Sequence, residues 1–395
     1  MRTLCLCCLT LITVGLARPA DQDPLHNPGF VHFYNNEYDQ ALAIFQNDLN
    51  AHPNEADDYN DLAQAILYRE MYRNGSLESQ LVTGTNSFLR RPKMAVSPQD
   101  KARFLDATNR ALSLSEARLK QNDEDINALF SQAVAHGLRA NFAFLVEKAW
   151  MQALHEAMAA RKADDEILRL APNVVDAHLL HGVSEYVVGC MPAYLRMLGA
   201  INGFHANKED GIEQIQLVVK SGTRNRFDAA ILLAAIYRRE HRPNDAIPLL
   251  NMLAATFPRN YLFRFEQVQM YSDLGNKQAA LHVLAQIETA LREGKPGFAK
   301  VPLERVQYAR GNLLFWYGDL DQSLRDLKDA TRRPDELDLG TAAMAWLRLG
   351  QVYDLLDRPE QARPAYETAI STAPHSEIAA EAGAYLKKPY HRKTK

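Results

Sequence analysis

The chain has 395 residues, 47% of them hydrophobic and 24% charged, and a formal net charge of −3. That length admits two or three globular domains or a repeat array of any size, and the hydrophobic share is enough for continuous burial. A near-neutral charge with no polybasic stripe through the repeats implies no general attraction to nucleic acid.

Arg2 precedes an apolar run from Leu4 to Val14, and Gly15-Leu16-Ala17 puts small residues at the two positions a signal peptidase reads. Residues 1–17 therefore read as a secretory signal peptide cleaved near Ala17, with Ala20 as a second site where Arg18 sits awkwardly. The apolar run is short for a membrane span, and a retained N-terminal anchor is the competing reading. Cys5, Cys7 and Cys8 lie inside the run and not after a small-residue lipobox, so lipidation is not implied. Cleavage leaves Cys190 as the sole cysteine, which allows no intramolecular disulfide but permits an oxidising compartment. The expected location is a bacterial periplasm or the exterior.

Residues 18–72 read as N-terminal repeat-like helices. Within them 21–28 is a loop, 30–50 a short helix, a turn at Asn35-Asn36 and a longer helix ending near Pro53, and 54–72 an amphipathic helix. Residues 73–98 break the pattern with Asn74-Gly75-Ser76, Gly84 and two prolines, and read as a loop insertion. A lid over a groove is the alternative. Asn74-Gly75-Ser76 is also a glycosylation sequon, meaningful only in a eukaryotic secretory pathway.

Residues 99–224 read as irregular helical repeats, with one long helix over 141–170 ended by Pro172. The apolar stretch 187–204 contains Arg196 and is broken by Pro192, so it reads as a buried helical hairpin and not as a membrane span. Residues 225–388 read as an array of paired helices closed by a capping helix over 377–388. Residues 389–395 read as a solvated basic tail.

The most regular unit lies in that array. Trp346, Leu349, Gly350 and Tyr353 stand at i, i+3, i+4, i+7 on one helix face, and Ala362, Tyr366 and Ala369 form the matching stripe on a second helix. Gly350 and Ala362 let the backbones approach, while Trp346, Tyr353 and Tyr366 fill the surrounding space. Pro359 starts the second helix and Pro374 stops it. The same offsets recur in Ala230, Leu233, Ala234 and Tyr237 with Ala246, Leu250, Leu253 and Pro258. They recur around Tyr271 with Gly275, Ala280 and Leu284, in Gly311 and Leu314 with Leu327 and Ala330, and in Gly29 with Ala41, Phe45 and Pro53.

This order and spacing resembles the tetratricopeptide repeat, a helix–turn–helix unit of about 34 residues. The resemblance implies an all-α fold, a right-handed superhelical solenoid of antiparallel helix pairs whose surfaces bind other molecules. The stretch from Gly203-Phe204 to Asp210-Gly211 resembles the corresponding part of the tetratricopeptide repeat 39 family, and no function is carried from it.

In tetratricopeptide repeats the inner wall comes from the first helix of each pair. Carried over by spacing, it consists of Ile231, Ala235 and Arg238; Phe265, Gln269 and Ser272; Arg305, Tyr308, Asn312 and Phe315; and Met344, Leu347, Gln351 and Asp354. Mixed aromatic, amide and charged residues suit an extended peptide. The lysine and asparagine clamp that some members use for a terminal carboxylate is not evident.

Chemistry-bearing patterns are sparse. His178 and His181 at i, i+3, with Glu185 one further turn along, put two imidazoles and a carboxylate on one helix face, a spacing a metal site can use. No HExxH or cysteine pair supports that reading, and both His181 and His136 precede glycines in a packing register. No nucleophile elbow, P-loop or dinucleotide fingerprint occurs, and Cys190 reads as packing. Asp57-Asp58 and Asp164-Asp165 are adjacent pairs that read as solvated faces. The expectation is an exported scaffold that binds a protein or peptide, without catalysis, cofactor, nucleic acid or stable membrane insertion. The alternatives are an enzyme or metal-binding protein with its site in the central helices, and a subunit of an envelope-associated assembly complex.

Overall fold

A computed structural model describes residues 23–77, 94–190 and 207–392, and every regular element among them is helical. The expected signal peptide, most of the 73–98 insertion, the larger part of the 187–204 stretch and residues 203–206 lie outside those residues. The chain divides into two compact units, Met1–Phe257 and Pro258–Lys395. That division falls one helix pair later than the change of character expected at 224.

The first unit contains α1 (Pro28–Tyr34), α2 (Tyr38–Ala51), α3 (Ala56–Arg73), α4 (Pro98–Leu119), α5 (Ile126–Phe142), α6 (Trp150–Leu170), α7 (His178–Gly189), α8 (Lys208–Ser221), α9 (Arg226–Arg239) and α10 (Pro243–Thr256). Each packs on the next, and α3 also packs on α5. The second unit contains α11 (Tyr261–Asp273), α12 (Lys277–Arg292), α13 (Leu303–Tyr317), α14 (Leu320–Ala330), α15 (Leu339–Leu355), α16 (Pro359–Thr372) and α17 (Glu377–Lys387). Here too neighbours pack in succession, and α13 touches α15 across the intervening helix. Each unit is thus an all-α stack of helix pairs, the solenoid manner of assembly.

The helix starts are local chemistry. Asn27, Ser97, Asp125, Asn260, Asn276, Asp338 and Ser376 each accept a backbone N–H of the following first turn. Pro28, Pro98, Pro243 and Pro359 stand at first-turn positions, where no N–H is needed. The single helix expected over 141–170 is instead broken. A π-turn over Ala143–Glu147 and a left-handed Lys148 reverse the chain between α5 and α6. The break is driven by burial: Phe142, Leu145 and Val146 all turn inward, and Phe142 stacks on Phe104 at 4.4 Å. No glycine or proline announces it.

Helix pairs close on a small residue. A Cβ added to Gly350 on α15 would lie 2.5 Å from the ring of Tyr366 on α16, and one on Gly311 of α13 would lie 2.8 Å from Leu327 on α14. Gly29 on α1 meets the ring of Phe45 on α2 in the same way.

The first unit departs from an open row. α3 is buried on nearly every side, including Asp57, Asp58, Asn60, Asp61 and Gln64. Ser131 of α5 donates its hydroxyl to Asp57, and Asn60 donates to the Ser131 carbonyl at 2.9 Å. Fully buried Arg224 donates to Asn127 at 2.9 Å and lies 5.0 Å from the Phe130 ring. The N-terminal helix returns to the far end of the unit. Tyr34 donates its hydroxyl to Asp228 of α9 at 2.7 Å, and its ring lies 4.9 Å from Phe257 and 5.6 Å from Phe227. Asp57, Asp58 and Asp164 are therefore interior groups and not solvated faces, because neighbouring helices cover their side of α3 and α6.

Gly350→Ala is expected to lower unfolding stability by about 1–3 kcal/mol through overpacking against Tyr366. In a Tyr366→Ala background the same change gains about 0.5–1 kcal/mol of helix propensity, so its sign reverses in a urea-unfolding double-mutant cycle.

Burial pushes both Asp57 and Asp228 up from 3.8 to about 7. The folded chain then holds protons that the unfolded chain releases near pH 4. Stability should fall as pH rises from about 4 to 7, by about 1.4 kcal/mol per pH unit per group, and level off above. Unfolding midpoints between pH 5 and 8 should show this slope, and Asp228→Asn should reduce it by one group's share.

Candidate peptide-binding face

In the second unit, α11 and α13 bring two of the expected groove residues, Phe265 and Arg305, together with Tyr261, which was not expected there. The Arg305 guanidinium lies 4.8 Å from the Phe265 ring and 5.4 Å from the Tyr261 ring, and the two rings meet edge to face at 6.2 Å. All three side chains are half-buried. Gln269, one turn beyond Phe265, donates to Asp273 at 2.7 Å. A guanidinium over aromatic faces is a semi-rigid pair that can stack a ring or hold an acceptor.

Further along α13 the expected residues have other employment. Tyr308 and Phe315 are buried in a core cluster with Leu327, Leu349 and Val352, so they are packing residues and not groove surface. Asn312 accepts from Arg348 Nε at 2.8 Å. Arg348 also donates to Gln351 at 2.6 Å, and its guanidinium lies 4.3 Å from the Phe315 ring and 4.7 Å from that of Trp316. Burial pushes Arg348 below the ordinary arginine range. Gln351 is itself buried. Trp316, at 58% exposure, is the large apolar surface here. Neither Arg348 nor Trp316 was expected at this face; an arginine between Leu347 and Leu349 was the available signal.

Asp354 accepts the Tyr366 hydroxyl at 2.6 Å and the backbone N–H of Tyr390 at 2.7 Å. The tail is consequently tied down at Tyr390 and Arg392, while Lys388, Pro389, His391 and Arg392 are exposed, as expected of it. Tyr390 lies 5.8 Å from Phe315 and 5.2 Å from Tyr385 between ring centroids, and Arg392 donates to the Phe315 carbonyl. The reason is an aromatic seat at the ends of α13 and α17 that a charge count does not reveal.

The remaining sequence candidates lie in the first unit. Arg238 is buried on α9, beside half-buried Ile231 and Ala235. His178 pairs with Gln214 at 3.0 Å, His181 with Asp165 at 3.4 Å, and buried Glu185 with Arg161 at 3.4 Å. They serve three separate partners and do not converge. Among the described residues no group of three or more His, Cys, Asp or Glu side chains is placed to hold a metal ion. A small cavity in this unit is lined by Phe130, Val134, Leu179, Val183, Asn225, Asp164 and Asp176 among others. Burial holds the Asp164 carboxyl well above its usual range, while Asp176 is satisfied by the Asn225 and Thr223 N–H groups at 2.8 and 3.1 Å. No described helix is long and apolar enough to cross a membrane.

Residues 343–376 match the tetratricopeptide repeat family. No curated protein matches the chain in sequence. Among solved structures it is similar to the human IFIT1 dimer with m7Gppp-AAAA, at 13% identity and a TM-score of 0.45, over 96% of this chain and 83% of that one. It is also similar to yeast Tom70, at 11% identity and a TM-score of 0.41, over 92% and 88%. The Cut9 and Hcn1 hetero-tetramer of the APC/C shares 15% identity with a TM-score of 0.35, over 92% and 83%.

Proposed function

We propose that this chain, which carries a tetratricopeptide repeat at its C-terminal end, is an exported and non-catalytic scaffold that binds a protein or peptide through the unit 258–395. The half-exposed Arg305–Tyr261–Phe265 cluster, in line along α13 with exposed Trp316, carries this reading. Arg305 to Trp316 spans about 16 Å at 1.5 Å per helical residue. That is the length of roughly five residues of extended peptide. Aromatic and arginine side chains are the commonest anchors of such contacts, and Gln269 offers an amide for a peptide backbone.

A protein partner fits better than nucleic acid, because a formal charge of −3 supplies no counterion-release drive. Export rests on Arg2, the apolar run and Gly15-Leu16-Ala17, the arrangement a signal peptidase uses. N-terminal sequencing of the mature protein should begin at Arg18; a retained Met1 would remove the export reading.

Affinity capture with the intact chain and with a Phe265→Ala/Arg305→Ala variant tests the binding face. The variant should lose its partner by about 5–100-fold in affinity, the range of one or two anchor residues. An unchanged set of captured proteins, or single-stranded RNA bound more tightly than any protein, would overturn the proposal.

A further inference from the structure

Beyond α17 the chain doubles back, and residues 388–392 meet the end of the face just described. We infer that this segment is a tethered ligand of that end, and that it holds off an external peptide with an aromatic residue followed two positions later by arginine. The inference rests on the peptide-binding reading above and specifies its partner.

Two kinds of contact hold the segment. One is a backbone contact, from the Tyr390 N–H to Asp354 Oδ2 at 2.7 Å, which any peptide can reproduce. The other kind is specific to side chains. The Tyr390 ring meets Tyr385 edge-on at 83° and lies tilted by 43° against Phe315. The Arg392 guanidinium lies 5.3 Å from the Phe315 ring and donates to the Phe315 carbonyl in the last turn of α13. Carbonyls of a helix's last turn carry partial negative charge, so a cation is favoured there, beside the Gly318 N–H that the Phe315 carbonyl already accepts at 3.1 Å. α13 ends on Gly318 at φ +86°, and a Cβ at that position would stand 3.2 Å from Arg392 Nη1. The left-handed glycine thus both stops the helix and leaves space for the guanidinium.

Tyr390 is only half-buried and Arg392 is exposed; Tyr390 packs on the outside of the cluster of Tyr308, Phe315, Leu327, Leu349 and Val352 and is not one of its buried members. Asp354 keeps its Tyr366 hydroxyl when the segment leaves. Lifting the segment would uncover Phe315 and Asp354 next to Trp316, which is already exposed, giving one aromatic and acidic surface. The tether makes the contact competitive. A short linker holds its ligand at an effective concentration of about a millimolar, and an external peptide must exceed that.

The test uses the full chain and its Tyr390→Ala/Arg392→Ala variant, with circular dichroism melts to verify that the variant keeps its helices. The probe is a synthetic peptide of residues 387–392, capped at both ends and followed by calorimetry and tryptophan emission. It should bind the variant roughly tenfold or more tightly than the unaltered chain. Alanine in place of the peptide's tyrosine or arginine should abolish binding. Equal binding to both chains, or none to the variant, overturns the inference. So does a dimer of the unaltered chain that dissociates in the variant, because the segment would then seat on a second copy. The Phe265→Ala/Arg305→Ala variant separates this result from the broader proposal. Arg305 lies at the other end of α13 and Phe265 on α11, so the change weakens partner capture if the broader reading holds and leaves the peptide titration intact.

Discussion

Two helices in van der Waals contact must decide where their axes come closest, and in this chain a residue without a side chain decides it. Gly350 faces the Tyr366 ring, Gly311 faces Leu327, and Gly29 faces the Phe45 ring. In each case the large side chain follows the small one at the same interval, so the hairpins of both units close alike. The buried large residue fills the space that the small one leaves, and interior density is kept without forcing a rotamer. Ala234 and Leu250, both buried, occupy the corresponding places in α9 and α10. With the pair geometry set, the first helices of adjacent pairs can touch, as α13 and α15 do.

This repeated interval is why the helix pairs were legible in the sequence. Pro359 opens its helix as the spacing implied, and the turn at Asn35-Asn36 has Asn36 in the left-handed region. The break at 143–149 was not legible. It is made by the burial of Leu145 and Val146, and periodicity cannot separate an apolar run that continues a helix from one that turns a corner. Asp57, Asp58 and Asp164 were misread for a related reason, while Asp165 is exposed as expected. Pattern assigns polar residues to the solvent side, but α3 is covered nearly all round and α6 is covered where Asp164 sits. Their satisfaction then depends on residues as distant as Ser131 and Arg224.

The expected groove was partly legible. Spacing placed Phe265, Gln269 and Arg305 on the open sides of α11 and α13. It placed Tyr308, Phe315 and Gln351 there as well, yet these are buried, because α15 covers that end of α13 and the 388–392 segment lies against Phe315. Arg348 explains how an arginine can live in that position. Asn312 and Gln351 take its hydrogen bonds, and the Phe315 and Trp316 rings take its faces, so the charge is desolvated but well coordinated.

The contact between Tyr34 and Asp228 has a temporal side. Its two partners are separated by 194 positions in the chain. On a ribosome adding about 5–20 residues per second, α1 would emerge roughly 10–40 s before α9 exists to receive it. Tyr34, interior in the finished protein, spends that interval without Phe227, Asp228 and Phe257, while Phe30 and Phe33 beside it already have Phe45, Tyr38 and Tyr68. An array whose modules touched only their neighbours could complete itself as it was made; here the earliest helix must wait for one of the last in its unit.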